Sequence, residues 1–165
     1  MTRTLPITVL AALTLAGCTR PPLTGPPELR LGREECAECG MLVSEDRCSS
    51  AALIDRDRER LYIFFDDIGC MLDYERTSAD DAEILERYIH DYATREWLDA
   101  DNAAYLFAGP QAIQTPMGSG IAGFATADAA RAQAPGQVMD LDALRAARRA
   151  WMEERYGKPA AAPTP

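Results

Sequence analysis

The sequence predicts an α+β fold of two small ββα-type lobes, which follow a signal peptide and a proline-rich tether. Two observations support this architecture. The order strand, strand, helix occurs twice along the chain, without an exact repeat of residues. Removal of the first 17 of the 165 residues would leave 148, which suits one domain of common size or two very small ones. Two similar lobes that share or abut their cores satisfy both observations.

The N-terminal segment, residues 1–17, is predicted to be a lipoprotein signal peptide. Arg3 precedes a mainly apolar run at 5–15, and the letters LAGC at 15–18 fit a cleavage site that makes Cys18 the lipid-carrying N-terminus. The run is too short for a permanent membrane-spanning helix. A buried N-terminal helix is the alternative, but the run lacks the polar positions of an amphipathic surface helix. We therefore expect acyl chains on Cys18 to anchor the protein to a bacterial membrane.

Proline-rich segments flank the predicted folded part. Residues 18–33 are interpreted as a tether, because 19–27 contain four prolines and a glycine but almost no large apolar side chains. At the other end, residues 158–165 form a tail of alanine and proline with one threonine and one lysine. We expect the fold to begin near Glu34.

The first lobe is predicted to span residues 34–77. Two short β-prone runs, at 50–54 and 61–65, lie on either side of a highly charged stretch, which is typical of a hairpin. One of the two aspartates at 66–67 can then cap a helix that continues to about residue 76. Together these elements make one strand, strand, helix unit.

The second lobe is predicted to span residues 78–157. It begins with a polar, acidic segment, after which aromatic and branched residues restart a strand pattern at 88–92. The remaining predicted elements are strands at 103–107, 120–124 and 138–139 and helices at 127–134 and 141–156.

Charge and cysteine content narrow the function. The formal net charge is −9, and no cluster of Lys and Arg is interleaved with aromatic residues, so nucleic acid is not an expected partner. If Cys18 carries lipid, four thiols remain: Cys36, Cys39, Cys48 and Cys70. In an exported chain these could form two disulfides, with three possible connectivities.

The segment ECAECGM at 35–41 predicts a metal site. It gathers Cys36, Cys39 and Met41 into one short stretch. Zinc normally takes four nitrogen or sulfur ligands from paired motifs, whereas a thioether added to one cysteine pair suits monovalent copper, Cu(I). Gly40 can take a backbone conformation that lets Cys39 and Met41 direct sulfur to a common point. The cysteine spacing alone fits a disulfide or a redox pair equally well, and Met41 favours the metal.

Further sulfur and nitrogen donors lie later in the sequence. Cys70 and Met71 are adjacent on a predicted helix, where consecutive side chains point about 100° apart, so at most one is a ligand. Met71 is interpreted as a core residue, and Cys70 as either a small buried hydrophobe or a donor. Met117 lies in a Pro/Gly loop that could close over the sulfur cluster, or it is an ordinary loop residue. His90, the only histidine, is either structural or a ligand oriented by Asp91.

Sequence motifs of common enzymes are missing. The chain has no Gly-x-Ser-x-Gly elbow and no phosphate-binding glycine loop, and we expect it not to be an enzyme. The rival interpretation is an exported thiol-disulfide redox protein that uses Cys36 and Cys39, although Gly40 disfavours the helix that such a motif normally starts. A third possibility is a purely structural lipoprotein with two disulfides.

The order of motifs resembles the NosL family, the accessory lipoproteins of nitrous oxide reductase. The motifs, in order, are the lipobox, ECAECGM at 35–41, FDDIGCM at 65–71, HDY at 90–92, WLDA at 97–100 with AY at 104–105, and TPMGSG at 115–120 leading to Phe124. The resemblance covers nearly the whole predicted mature chain.

This resemblance implies a periplasmic, membrane-tethered carrier of Cu(I). Such a carrier hands copper to an ABC-type transporter and its periplasmic partner during copper-site assembly in nitrous oxide reductase, with another copper enzyme as the alternative client. It also implies a fold of two ββα-like lobes, similar to part of organomercury lyase. Our leading hypothesis takes Cys39 and Met41 as core ligands and Met117 as an outer donor, with Cys36 either assisting or alternating as a disulfide partner. Cys70 and His90 are secondary candidates.

Overall fold

A computed structural model describes residues 23–78 and 82–157. The predicted signal peptide, Cys18 and the tail at 158–165 lie outside these residues. In chain order, the described elements are β1 (Ser50–Arg56), β2 (Glu59–Phe65), α1 (Ile68–Thr77), β3 (Glu83–His90), β4 (Trp97–Asp99), β5 (Ala104–Phe107), β6 (Ile121–Phe124), α2 (Ala127–Gln133), β7 (Gln137–Met139) and α3 (Leu141–Tyr156). None of the helices in these residues is long and apolar enough to cross a membrane.

The predicted hairpin is confirmed and is longer than expected. β1 pairs antiparallel with β2 from Ser50 opposite Phe65 to Arg56 opposite Glu59. The two connecting residues, Asp57 and Arg58, both have positive φ, at 55° and 68°. A two-residue turn of this kind matches the twist of the strands, so the charged residues on both sides extend the ladder instead of forming a loop.

Strands from both predicted lobes form the larger sheet. Its order is β2-β1-β3-β4, and the smaller sheet has the order β6-β5-β7. The sequence groups the strand after residue 78 with the second lobe, but β3 pairs with β1 of the first. β3 also begins at Glu83, ahead of the predicted start, because backbone pairing with β1 stabilises its polar first half. The three-residue strand β4 is too short for the sequence pattern to reveal.

One hydrophobic core joins the two sheets. Phe65 of the first sheet, Met71 of α1, Tyr105 of the second sheet and Leu144 of α3 belong to a single buried cluster. Met71 is fully buried, as its interpretation as a core residue requires. A smaller cluster under the other face of the second sheet includes Leu106. The α+β class and the two-sheet architecture are therefore confirmed, with a shared core.

The described part of the predicted tether lies against the first sheet. The Thr24 hydroxyl and the Gly25 N–H each donate to the Glu86 carboxylate at 2.9 Å, and the Tyr62 hydroxyl donates to the Gly25 carbonyl at 2.6 Å. Glu86 lies on β3 and Tyr62 on β2. These bonds hold residues 24–25 against the sheet instead of letting them extend away from it.

Candidate metal centre

The predicted metal-binding motif folds into a tight turn. The Cys36 N–H donates to the Met41 carbonyl at 2.7 Å, and the Gly40 N–H donates to the Cys36 carbonyl at 2.8 Å. Gly40 has a φ of 73°, the left-handed conformation that glycine adopts without steric cost. The expectation that Gly40 would take a conformation that other residues resist is confirmed, and the turn keeps both cysteines on one short loop.

Backbone pairing with β2 brings this turn to the start of α1. The Ala37 N–H donates to the Phe64 carbonyl at 2.8 Å, next to a parallel bridge between Cys36 and Phe64. Phe64 lies near the end of β2, and the chain reaches α1 three residues after that strand ends. The turn therefore faces the first turn of α1, where Cys70 is the third helical residue.

Three cysteine sulfurs meet at this junction. Those of Cys36, Cys39 and Cys70 all lie within 4.8 Å of one another, and no other group of at least three Cys, His, Asp or Glu donor atoms is this close in residues 23–78 and 82–157. Cys36 and Cys70 are buried, whereas Cys39 is exposed. The cluster is thus closed towards the core and open to solvent on the side of Cys39.

The three thiols differ in their tendency to lose a proton. A hydrogen bond from the Cys70 thiol and the backbone N–H of Asp66 lower the pKa of Cys36 to about 5, although burial opposes the shift. The same hydrogen bond, together with burial, raises the pKa of Cys70. Burial is also the first cause that raises the pKa of Cys39. One thiolate beside two neutral thiols is an arrangement that attracts a soft cation.

The two candidate methionines are exposed, and backbone hydrogen bonds link their segments to the cysteine turn and to the start of α1. Met41 belongs to the turn itself, and 54% of its surface is accessible. Met117 is 42% exposed, and its backbone N–H donates to the Asp67 carboxylate at 3.2 Å. Because Asp67 precedes Cys70 by three residues, this bond brings the loop of the second sheet to the helix that carries Cys70. An exposed thioether would be solvated little and remains available as a donor.

Asp67 holds the two sheets together at the site, a role that the sequence analysis missed. Its carboxylate caps α1 by accepting the Gly69 N–H at 2.6 Å, as predicted for one of the two aspartates. It also accepts the Thr115 hydroxyl at 2.5 Å and the Ser119 N–H at 3.4 Å. Gly69 allows this approach, because a Cβ on it would lie 2.7 Å from that of Ser119. The TPMGSG letters were the available signal, since loop hydroxyls often bind helix caps.

His90 lies apart from the three sulfurs. It is 5% exposed, its Nδ1 is 2.8 Å from the Ser49 hydroxyl, and its ring stacks on Trp97 at 3.6 Å between centroids. Burial lowers the pKa of His90. Its secondary candidacy as a ligand has no support from this position.

Cys48 is also separate from the cluster. It is fully buried and unpaired, and burial raises its pKa to about 12. All four thiols of the described residues are free, so no disulfide joins Cys48 to Cys70. Cys48 behaves as a small core residue.

Comparison with known proteins identifies the family. The sequence model of NosL matches residues 30–148, most of the chain. The chain belongs to the NosL family. The crystal structure of the copper chaperone NosL from Shewanella denitrificans has the same fold, with a TM-score of 0.56, 21% sequence identity, and coverage of 71% of this chain and 96% of that one. No curated protein matches the sequence. The resemblance inferred from the motifs is therefore confirmed.

The family match includes the three clustered cysteines and both candidate methionines. Cys36, Cys39, Met41, Cys70 and Met117 all lie within the matched range 30–148. The match also includes both sheets and reaches into α3. The elements that position the sulfur cluster therefore belong to the part of the chain that matches NosL.

Proposed function

We propose that this NosL protein binds one Cu(I) ion at the sulfur cluster and carries it to a copper enzyme. The observation that supports the proposal most directly is the convergence of the Cys36, Cys39 and Cys70 sulfurs within 4.8 Å. The S. denitrificans structure that shares the fold is a copper chaperone. Thiolate and thioether donors select soft ions, and copper in the monovalent state is the soft ion that tolerates few ligands.

The geometry suits a carrier more than a permanent metal site. A structural zinc site is normally closed by four nitrogen or sulfur ligands. Here Cys36 and Cys70 are buried, but Cys39 and Met41 face solvent. Cu(I) would be held by the thiolates of Cys36, Cys39 and Cys70. Met41, expected from the sequence to be a core ligand, would join Met117 as an outer donor because it is exposed. The exposed donors could be replaced one at a time by those of a partner, which lets the ion leave.

We further propose the cellular setting that the sequence suggests. Lipid on Cys18 would hold the protein at the periplasmic face of a bacterial membrane. The recipients would be components of an ABC-type copper transporter and nitrous oxide reductase, or another periplasmic copper enzyme. The lipobox at residues 15–18 and the NosL family match support this setting.

A thiol-disulfide redox protein is the second candidate, and one observation favours it. Cys36 has a lowered pKa and lies beside two further thiols, as an attacking thiolate requires. Against it, the Cys36–Cys39 segment is a turn whose Gly40 has a positive φ, and no helix begins on its second cysteine. The carrier function therefore agrees better with the local backbone.

Competition for copper and zinc separates the proposals. The reduced, purified protein should take up about one Cu(I) from a chelator of known affinity, and zinc should compete poorly because thioethers favour the softer ion. Loss of selectivity over zinc would count against the carrier. Oxidation of the thiols should abolish binding, since only thiolates bind copper.

Replacement of Met41 distinguishes the copper carrier from the redox protein and the structural lipoprotein. Met41→Leu keeps the size of the side chain but removes its sulfur, and should weaken Cu(I) binding by about tenfold, the lower end of losses seen when the surroundings of a metal site change. Met152→Leu on α3 is the matched control and should leave copper affinity unchanged. A redox protein or a structural lipoprotein would tolerate both substitutions equally.

A further inference from the structure

A second site of opposite chemistry lies between α1 and α3. The pocket there has a volume of about 360 Å³, within the range of small-molecule sites. Its charged lining residues are Asp73, Glu75, Arg76, Arg145, Arg148 and Arg149. Four guanidinium groups around one pocket are unexpected in a chain with a net charge of −9. The pocket has no part in the sulfur cluster.

Arg148 forms the floor of this pocket and has unused hydrogen-bond donors. Its Nη2 donates to Asp73 at 2.7 Å, but Nε and Nη1 are buried without any partner among the described residues. The residue is 9% exposed, and its guanidinium lies 4.8 Å from the centre of the Trp151 ring. These two nitrogens are not accessible from the pocket, but Asp73 is shared between Arg148 and Arg76, so it does not fully offset their positive charge.

Two further arginines stand on opposite walls with weak or no ion pairs. Arg149 of α3 is exposed and forms no salt bridge with any residue in 23–78 or 82–157. Arg76 of α1 is 3.9 Å from Asp73, at the limit of an ion pair. Arg145 lies one turn before Arg149 on the same helix face, and like charges at this spacing repel.

The carboxylates around the pocket are already engaged. Asp73 binds Arg148, and Glu75 is shared between Arg145 at 2.9 Å and Arg87. Arg148 and Arg149 therefore retain donors that no carboxylate of the described residues satisfies.

We propose that this pocket binds a small oxyanion that carries several negative charges, such as a polycarboxylate or a phosphate. Arg149 and Arg76 would bind it directly from the two walls, and the buried positive charge of Arg148 would attract it from the floor. Planar guanidinium groups match the oxygen pairs of carboxylates and phosphates, which gives the site its preference for oxyanions over chloride.

The two tryptophans provide a reporter and an internal control. Trp151 packs on Arg148, whereas Trp97 stacks on His90. Citrate and inorganic phosphate are titrated separately into the protein at constant ionic strength, with sodium chloride as the balancing salt, and both indole N–H signals are followed by NMR. A saturable shift of the Trp151 signal with a constant Trp97 signal is expected. Saturation by citrate alone indicates a carboxylate ligand, and saturation by phosphate alone indicates a phosphoryl ligand.

Substitutions test which residues bind the anion. Arg149→Gln removes an exposed side chain and should weaken anion binding by about fivefold, while Arg131→Gln on α2 should have no effect. Absence of a saturable shift with both anions, or equal affinity in Arg149→Gln and the wild type, would overturn the proposal. Cu(I) affinity should be unchanged in Arg149→Gln, so failure here leaves the carrier function untouched.

Discussion

The two ends of α1 carry opposite chemistry. At its first turn, Cys70 joins two thiols from the preceding loop, and the resulting cluster of sulfurs is soft and weakly hydrated. From the middle of the helix to its other end, Asp73, Glu75 and Arg76 face the arginines of α3, which are hard, permanently charged groups. Only two residues separate Cys70 from Asp73. One short helix therefore positions two sites with almost no chemistry in common.

The difference lies in how each end satisfies its buried groups. The neutral thiol of Cys70 is buried at little cost and needs no charged partner, and it donates a hydrogen bond to the buried sulfur of Cys36. A buried guanidinium requires a carboxylate, and Arg148 depends on Asp73 for its only ion pair in residues 23–78 and 82–157. We therefore expect changes in the sulfur cluster to alter metal affinity, and changes at the arginine end to alter the free energy of unfolding.

The largest expected effect is the loss of a sulfur ligand. Structural metal sites bind with roughly 10–16 kcal/mol shared among about four ligands, so Cys36→Ser should cost about 4 kcal/mol, or about a thousandfold in Cu(I) affinity. Cys48→Ser is the matched control, because Cys48 is a buried free thiol outside the cluster. Chelator competition under anaerobic conditions measures both. If the two variants had equal Cu(I) affinities, Cys36 would contribute no more to copper binding than an ordinary core thiol, which would contradict the proposed site.

Removal of the buried carboxylate should have the next largest effect. Asp73 and Arg148 are 8% and 9% exposed, and Asp73→Asn leaves a buried guanidinium without its anion. We expect the free energy of unfolding to fall by about 3 kcal/mol, as measured by chemical denaturation. The double variant Asp73→Asn, Arg148→Met should recover part of this loss. Cu(I) affinity of the folded Asp73→Asn protein should not change. A large change would mean that the two ends of α1 do not act as independent sites.

Local patterns made much of the fold predictable. The hairpin, α1 and α3 follow from runs of β-prone residues, an aspartate cap and helical spacing within short windows. The partners of β3 were not predictable, because the polar first half of that strand is stabilised by backbone bonds to β1, a strand 27 or more residues earlier. Strand pairing over such distances leaves no local signal.

The same contrast applies to the two sites. Cys36, Cys39 and Met41 form one motif, so the sequence alone locates most of the candidate metal site. The inclusion of Cys70 depends on the bond between Ala37 and Phe64, which the motif does not encode. The arginine pocket has no motif at all, since Arg148 and Asp73 are 75 residues apart and meet only when α3 packs on α1.

The smallest expected effect concerns His90. We expect this buried titratable group to affect the free energy of unfolding and not Cu(I) binding. The Ser49 hydroxyl is 3.0 Å from the Asp46 carbonyl, to which it can donate, so the neutral His90 ring donates from Nδ1 to Ser49. Burial lowers the pKa of His90 below its unfolded value of about 6.5. Its contribution to stability is therefore complete above pH 6.5 and is lost as the pH falls through the folded pKa.

His90→Asn is the appropriate comparison, because the asparagine amide can keep the donor to Ser49 but does not titrate. Unfolding free energies of both proteins should be measured by denaturation at pH 7.5 and pH 5.5. The advantage of the wild type over His90→Asn should shrink at the lower pH, since only the wild type must then keep a neutral imidazole. A constant difference would mean that protonation of His90 does not oppose folding. A loss of Cu(I) affinity in His90→Asn at pH 7.5 would instead place this ring among the ligands of the sulfur end.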